Sequence, residues 1–160
     1  MGTGVGSGIV VNGKVINGKH GIGGEWGHNS LDEHGELCYC GQRGCVETFI
    51  SGPATENHYY NLSGNKLKLK EIYKLYQGHD PNAVATIDRM MHYFGRAIAC
   101  VINIVDPEVI VFGGGVGNLD VIYERGKEEV LKHLFNGELN TLFLRPKLGD
   151  SAGVIGAALL

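Results

Sequence analysis

His28, Cys38, Cys40 and Cys45 stand in the pattern H-x9-C-x-C-x4-C, inside the stretch GEWGHNSLDEHGELCYCGQRGCVE from Gly24 to Glu47. Three thiolates and an imidazole form a closed tetrahedral donor set for Zn²⁺, a borderline-soft ion with no geometric preference of its own. Gly35, Gly41 and Gly44 lie among the ligands, where a chain folding tightly round an ion needs positive φ or close backbone approach. The competing readings are two disulfides or unrelated buried thiols. A Cys38–Cys40 disulfide would close a strained C-x-C ring, and the fourth cysteine, Cys100, lies far away in a helical pattern. The spacing therefore predicts a structural ion, because four protein ligands leave no open position for water.

Two glycine clusters are the other candidates for chemistry: Gly2-Thr3-Gly4-Val5-Gly6-Ser7 and Gly113-Gly114-Gly115-Val116-Gly117-Asn118. Neither is a dinucleotide fingerprint, since the third required glycine is Ser7 in one and Asn118 in the other. Each could be a plain tight turn. Two such loops in one small chain, one with a threonine hydroxyl beside bare backbone amides, also suit phosphate oxygens, which N–H groups cradle without a full charge.

The elements that must position these residues can be read from periodicity. Gly8–Asn12 and Lys14–Asn17 are β-rich runs joined through Asn12-Gly13, a hairpin signal because a type I′ turn needs positive φ twice. Residues 52–64 and 67–77 read as helices, the first starting as early as Glu47. Asp80 as N-cap and Pro81 at the first helical position open the clearest helix. Its stripe of Val84, Ile87, Met91, Phe94, Ile98, Val101 and Val105 recurs at helical spacing and predicts a core face. Cys100 on this helix is expected as a small buried hydrophobe. Val109–Phe112 is a continuous apolar run, predicted as a strand buried on both faces. A helix is expected from about Leu119 to Phe135, with Glu124, Lys127, Glu128 and Lys132 as a solvated face of i,i+4 pairs. Leu142–Pro146 is a second strand, and Asp150 or Ser151 caps a small-residue helix from Ala152 onward. Alternating helices and strands predict an α/β fold with a largely parallel sheet, whose ligand sites lie at the carboxyl ends of strands.

Composition bounds the function classes. The chain has 160 residues, 26 glycines, 19% charged residues and a net charge of −3, with no Lys/Arg run. Nothing points to a nucleic-acid or membrane surface, and no apolar stretch reaches the roughly 18–20 residues of a membrane span. No signal peptide precedes the first motif. Thiols arranged as metal ligands fit a reducing cytoplasm better than a secreted disulfide scaffold. His20, His34, His58, His79, His92 and His133 read as surface or helix residues without a role. Trp26 and Tyr39, set among the ligands, suit a pocket wall and core packing equally.

MGTGVGSGIVVNGKV, GEWGHNSL, CYCGQRGCVETFISG, DPEVIVFGGGVGN and the closing KLGDSAGVIGAALL together resemble the C-terminal half of ROK proteins (repressors, open reading frames, kinases). The resemblance covers essentially the whole of residues 1–160. GEWGHN, ETFISG, the LSG at 62–64 and NIVDPEVIVFGGG look most like bacterial fructokinases and manno(fructo)kinases, with N-acetylglucosamine and glucose kinases next. The implied fold is the C-terminal lobe of an actin-like, ribonuclease H-like ATPase with a zinc loop inserted at about 20–47. By motif match, Thr3 and Gly4 fall on the loop that contacts nucleotide phosphates, and Gly113, Gly114 and Gly115 on the loop lining the adenosine pocket. Glu25 and His28 match the E-x-G-H sugar-binding pair, and Glu47 a third sugar contact. A solvated carboxylate is the plainer reading of either glutamate. His28 can serve twice, holding the ion through one ring nitrogen and a sugar hydroxyl through the other.

The resemblance implies an ATP-dependent hexokinase, with ATP and Mg²⁺ as cosubstrate and a hexose as acceptor. Family kinases also carry an N-terminal lobe with a D-x-G-G-T-type phosphate loop and a general-base aspartate. Neither occurs in these residues, so the chain alone is expected to be inactive and to self-associate, and family members commonly form homodimers. A repressor that uses this lobe as sugar sensor and dimerisation module, or a zinc-held oligomerisation domain without activity, are the other classes.

Overall fold

The computed structural model describes residues 1–149. Helices form around one long element, so their order is best followed from it. Pro81–Val105 is the fourth helix (α4). Asp80 caps it by accepting from the Ala83 N–H at 2.9 Å, and Pro81 fills the first turn, where no backbone donor is needed. The helix ends on Asp106, whose left-handed φ of 46° turns the chain ahead of Pro107. Ile87, Met91, Phe94 and Ile98 of the predicted stripe are buried, joined by Met90 and Ile102. The stripe fades at its ends, with Val84 and Val101 half-buried and Val105 exposed.

Three helices precede it: α1 (Glu47–Ile50), α2 (Gly52–Ser63) and α3 (Leu69–Gln77). Ser51 separates the first two, because its extended backbone ends α1 while its hydroxyl accepts from Ala54 N–H and caps α2. Gly64, at φ 73°, closes α2. Glu56 on α2 then accepts from the Leu69 N–H at 3.1 Å, so one helix supplies a cap to the next.

The hairpin signal holds. β1 (Val10–Val11) pairs antiparallel with β2 (Lys14–Val15), and Asn12 and Gly13 both take positive φ. β3 (Val109–Val111) pairs in parallel with β4 (Leu142–Leu144), in the register Val109↔Leu142, Ile110↔Phe143 and Val111↔Leu144. The expected burial of β3 on both faces is not found. Ile110 and Phe143 pack on the helical core, whereas Val109 and Val111 remain 41% and 55% exposed. Period-2 alternation turns those residues to the opposite face, which no layer covers among the described residues.

Two further expectations are corrected. The segment 119–135 is not one helix: turns at Gly115–Asn118 and Asp120–Ile122 precede a shorter α5 (Arg125–Leu131). Leu119, Val121 and Ile122 are all buried, and the Val121 N–H donates to the Tyr73 hydroxyl at 3.2 Å rather than to a helical carbonyl. Cys100 is exposed on α4, one position past the buried Ala97–Ala99 run. Glu124, Lys127, Glu128 and Lys132 are solvated as expected, but Lys132 pairs with Glu129 at 2.7 Å, three residues back. The expected C-terminal helix lies outside the described residues. Among the described residues no helix is long and apolar enough to cross a membrane.

α5 lies close against α4 because both present glycine at the crossing. A β-carbon on Gly126 would sit 2.9 Å from the Phe94 ring, and one on Gly95 would sit 2.7 Å from the Glu129 carbonyl carbon and oxygen. Alanine at position 95 gains up to about 1 kcal/mol of helix propensity but forces backbone apart in a packed core, at about 1–3 kcal/mol. Overlap with backbone decides the sign. Gly95→Ala should therefore lower the urea midpoint, while Ala85→Ser on the exposed side of α4 should move it by less than about 0.5 kcal/mol equivalent.

Candidate functional site

The metal-ligand pattern folds back on itself through short backbone ties. Ser30 bridges to Cys45 and Leu37 to Arg43, and the Cys38 N–H donates to the Gln42 carbonyl at 2.8 Å. Gly44 has φ 63°, and a β-carbon there would run into the Asp32 backbone, so glycine alone fits. The Tyr93 hydroxyl, donating to Asp32 at 3.2 Å, and Arg96, donating to the Leu31 carbonyl at 3.1 Å, fasten the loop to α4.

His28, Cys38, Cys40 and Cys45 are brought together, with their donor atoms all within 4.8 Å of one another. Cys38 Sγ lies 3.6 Å from His28 Nδ1, and Cys40 Sγ lies 3.6 Å from Cys45 Sγ. Those separations match the edges of about 3.6–3.8 Å that tetrahedral Zn–N and Zn–S bonds would impose. All four cysteines are free, so neither disulfide reading applies. The set can hold a metal ion. Without one, desolvation by burial, then hydrogen bonds with Cys40 and Cys38, push the Cys45 thiol up to about 12. Cys40 is shifted the other way, first by a hydrogen bond from the Gln42 backbone.

With Nδ1 turned to the thiols, His28 Nε2 faces outward and meets the Tyr39 hydroxyl at 3.0 Å. Tyr39 is 83% exposed, so it belongs to the site wall, whereas Trp26 is half-buried against the main core. Desolvation of its hydroxyl, then the negative charge of Glu47, Cys38 and Glu25, raises the Tyr39 phenol above its ordinary range. Glu25, at the start of the Trp26–His28 turn, and Glu47, in the first turn of α1, thus act on the same phenol that His28 touches. Carboxylates that accept and an imidazole that can donate are groups able to bind hydroxyls.

The two glycine loops meet beside this group. The Val116 N–H donates to the Met1 carbonyl at 3.1 Å, and a β-carbon on Gly2 would lie 3.8 Å from Gly115 N. Gly114 has φ 80°, and a side chain there would strike the Met1 carbonyl. Thr3, Gly4 and Gly115 stand exposed, with Gly113 and Gly114 half-buried. From the other side, β-carbons on Gly24 and Gly27 would collide with the Ser7 and Val5 carbonyls. Arg145, which follows β4, donates to Asp120 and to the Asn118 carbonyl, holding the end of the second loop. Two links were missed by sequence reasoning: the Tyr39–His28 contact and a hydrogen bond from the Val5 N–H to Glu47 Oε2 at 2.8 Å. Glu47 lies 42 positions from Val5, and no local pattern announces such a pairing.

The sequence model of the ROK family matches residues 1–160. An N-acetyl-D-glucosamine kinase of Histophilus somni is 36% identical over 171 aligned residues, covering 100% of this chain and 56% of that protein. The chain thus spans about half the length of the curated relatives it matches. Among solved structures, the ROK hexokinase of Thermus thermophilus superposes with a TM-score of 0.88 at 34% identity, over 99% of this chain and 53% of that one. A ROK glucokinase of Streptomyces griseus, in complex with glucose and AMPPNP, does so with a TM-score of 0.87 at 26% identity, over 99% and 57%.

An ion entering this donor set must displace thiol protons, including that of Cys45 at about 12. Metal affinity should therefore fall as pH falls, and the stability it supplies should go with it. The metal-free chain has the opposite sign: a thiol raised on folding contributes stability below about pH 9 that is lost as pH climbs toward 12. Elemental analysis after dialysis should find metal retained at about pH 8 and depleted at about pH 5, and Cys45→Ser should abolish stoichiometric retention at the higher pH.

Proposed function

The chain belongs to the ROK family and shares its actin-like ATPase fold, and on that footing we propose that residues 1–160 are the C-terminal lobe of an ATP-dependent hexose kinase. One observation carries the reading. Glu47, two residues beyond Cys45 of the set that holds His28, accepts the Val5 N–H at 2.8 Å in the Thr3–Val5 loop that adjoins Gly113–Gly115. The proposed sugar contact and the proposed phosphate loop thus touch directly.

In this reading Glu25, His28 and Glu47 accept from and donate to sugar hydroxyls. Thr3 and Gly4 receive the nucleotide phosphates, and Gly113, Gly114 and Gly115 line the adenosine pocket. His28, Cys38, Cys40 and Cys45 hold a structural Zn²⁺. The ion supplies no reacting group; its ligands fix the tautomer and orientation of His28, leaving Nε2 toward the sugar. Mg²⁺ accompanies ATP. The reaction forms a bond from a sugar oxygen to the γ-phosphorus and breaks the bond to the β-phosphate oxygen. The hydroxyl proton passes to a general-base aspartate of the companion lobe. The residues described here therefore position and neutralise rather than transfer protons.

The hexose is the finer question. GEWGHN and ETFISG favour fructose by appearance, while the N-acetyl-D-glucosamine kinase of Histophilus somni favours the N-acetylated sugar. Thiol ligands suit a reducing cytoplasm, and the family resemblance implies a homodimer.

The test is calorimetric titration of the full-length protein with fructose, glucose, mannose and N-acetylglucosamine, followed by a coupled assay with ATP. One of these sugars should bind and be phosphorylated. Glu25→Gln should weaken its binding by about 1–3 kcal/mol, the worth of a hydrogen bond to a charged group. Unaltered affinity in that variant would return Glu25 to the solvent, and binding without phosphoryl transfer would make the protein a sugar sensor.

A further inference from the structure

Glu47 does two things at once. Its Oε2 accepts the Val5 N–H at 2.8 Å, and by the reading above the same carboxylate contacts the sugar. The loop runs directly beneath it: a β-carbon on Gly4 would lie 2.8 Å from Glu47 Oε2 and 3.6 Å from Cδ. A second tie comes from just beyond α1, where the Gly52 N–H donates to the Gly2 carbonyl at 2.8 Å. α1 thus grips the phosphate loop at Val5 through its first residue and at Gly2 through the junction that follows. It is a firm support, because Phe49 and Ile50 within it are buried, and Cys45 of the metal set lies two residues before Glu47.

We propose that Glu47 is a positioning residue that couples the two ligands, its carboxylate shared between a sugar hydroxyl and the backbone amide that sets the Thr3–Val5 loop. This rests on the sugar-kinase reading given above and extends it, because a sugar contact alone requires no bond to the loop. A hydroxyl donated to the carboxylate changes both its position and the electron density it offers to the Val5 N–H. The loop that receives the nucleotide phosphates then depends on whether sugar is present. By linkage the effect is reciprocal: sugar must tighten nucleotide binding by the same factor as nucleotide tightens sugar binding. A Glu47 that merely braced the loop would weaken nucleotide binding equally with and without sugar.

The experiment measures the affinity of the full-length protein for a non-hydrolysable ATP analogue, with and without the saturating sugar found in the preceding test. Wild type should show a coupling factor of roughly 5-fold or more. Glu47→Gln, which keeps an oxygen for Val5 but loses the charge, should bring that factor close to one. Gly4→Ala, whose β-carbon would press on the Glu47 carboxylate from the loop side, should also lower the factor. Glu25→Gln should weaken sugar binding and preserve the factor. Circular dichroism on each variant identifies any that fail to fold, and Gly4→Ala carries the test if Glu47→Gln is one of them. Wild type that binds both ligands with a factor of one, or folded Glu47→Gln and Gly4→Ala that keep the wild-type factor, would overturn the coupling alone. Wild type that binds neither ligand would remove the kinase reading and the coupling with it.

Discussion

The site exists because three pieces of backbone approach more closely than side chains would allow. The carbonyls of Val5 and Ser7 occupy the space where β-carbons of Gly27 and Gly24 would stand, and the Asp32 backbone does the same at Gly44. Each of these contacts is made by main chain, whose position is set by the ladder of turns around it rather than by rotamers. Removing the β-carbon costs conformational entropy in the unfolded chain. In return, the metal loop and the phosphate-suited loop become one continuous wall. A side chain at Gly27 would part them and carry His28 away from the segment that Glu47 holds.

Support for that wall comes from α4. Tyr93 and Arg96 fasten Asp32 and Leu31, and the Arg89 guanidinium lies 4.8 Å from the centroid of the Phe49 ring, so the same helix steadies the metal loop and α1. The buried row of Ile87, Met90, Met91 and Phe94 faces the other helices, while the polar residues next to it reach the site. One amphipathic element therefore serves stability and positioning together, and the division between the two follows from helical period alone.

Features governed by local spacing were legible in the sequence. The Asn12-Gly13 turn and the cap and proline that open α4 depend on residues within a few positions of one another, and the ligand set lies within a single loop. The family resemblance singled out Glu25, Glu47 and the two glycine loops, and the fold brings Glu47 and both loops side by side. What escaped depends on tertiary context. Burial of β3 turns on what lies across the sheet, and an apolar run reads alike whether one face or both are covered. Cys100 was assigned to the core from its chemistry, yet its place on α4 is just outside the buried arc. Residues 119–122 carry helix-compatible types, but Tyr73 captures the Val121 amide and the chain turns instead. The Glu47–Val5 bond has no sequence signature, since its partners are joined only by the fold.

The exposure of Cys100 has a practical consequence. The other three thiols all belong to a donor set that can hold a metal ion, leaving this one as the thiol open to a reagent whenever that set is filled. A maleimide or disulfide reagent would then label one sulfur on α4 in the loaded protein and find its remaining targets only as the ion departs. The stoichiometry of thiol modification becomes a running record of metal occupancy, readable by mass without any probe being engineered into the chain.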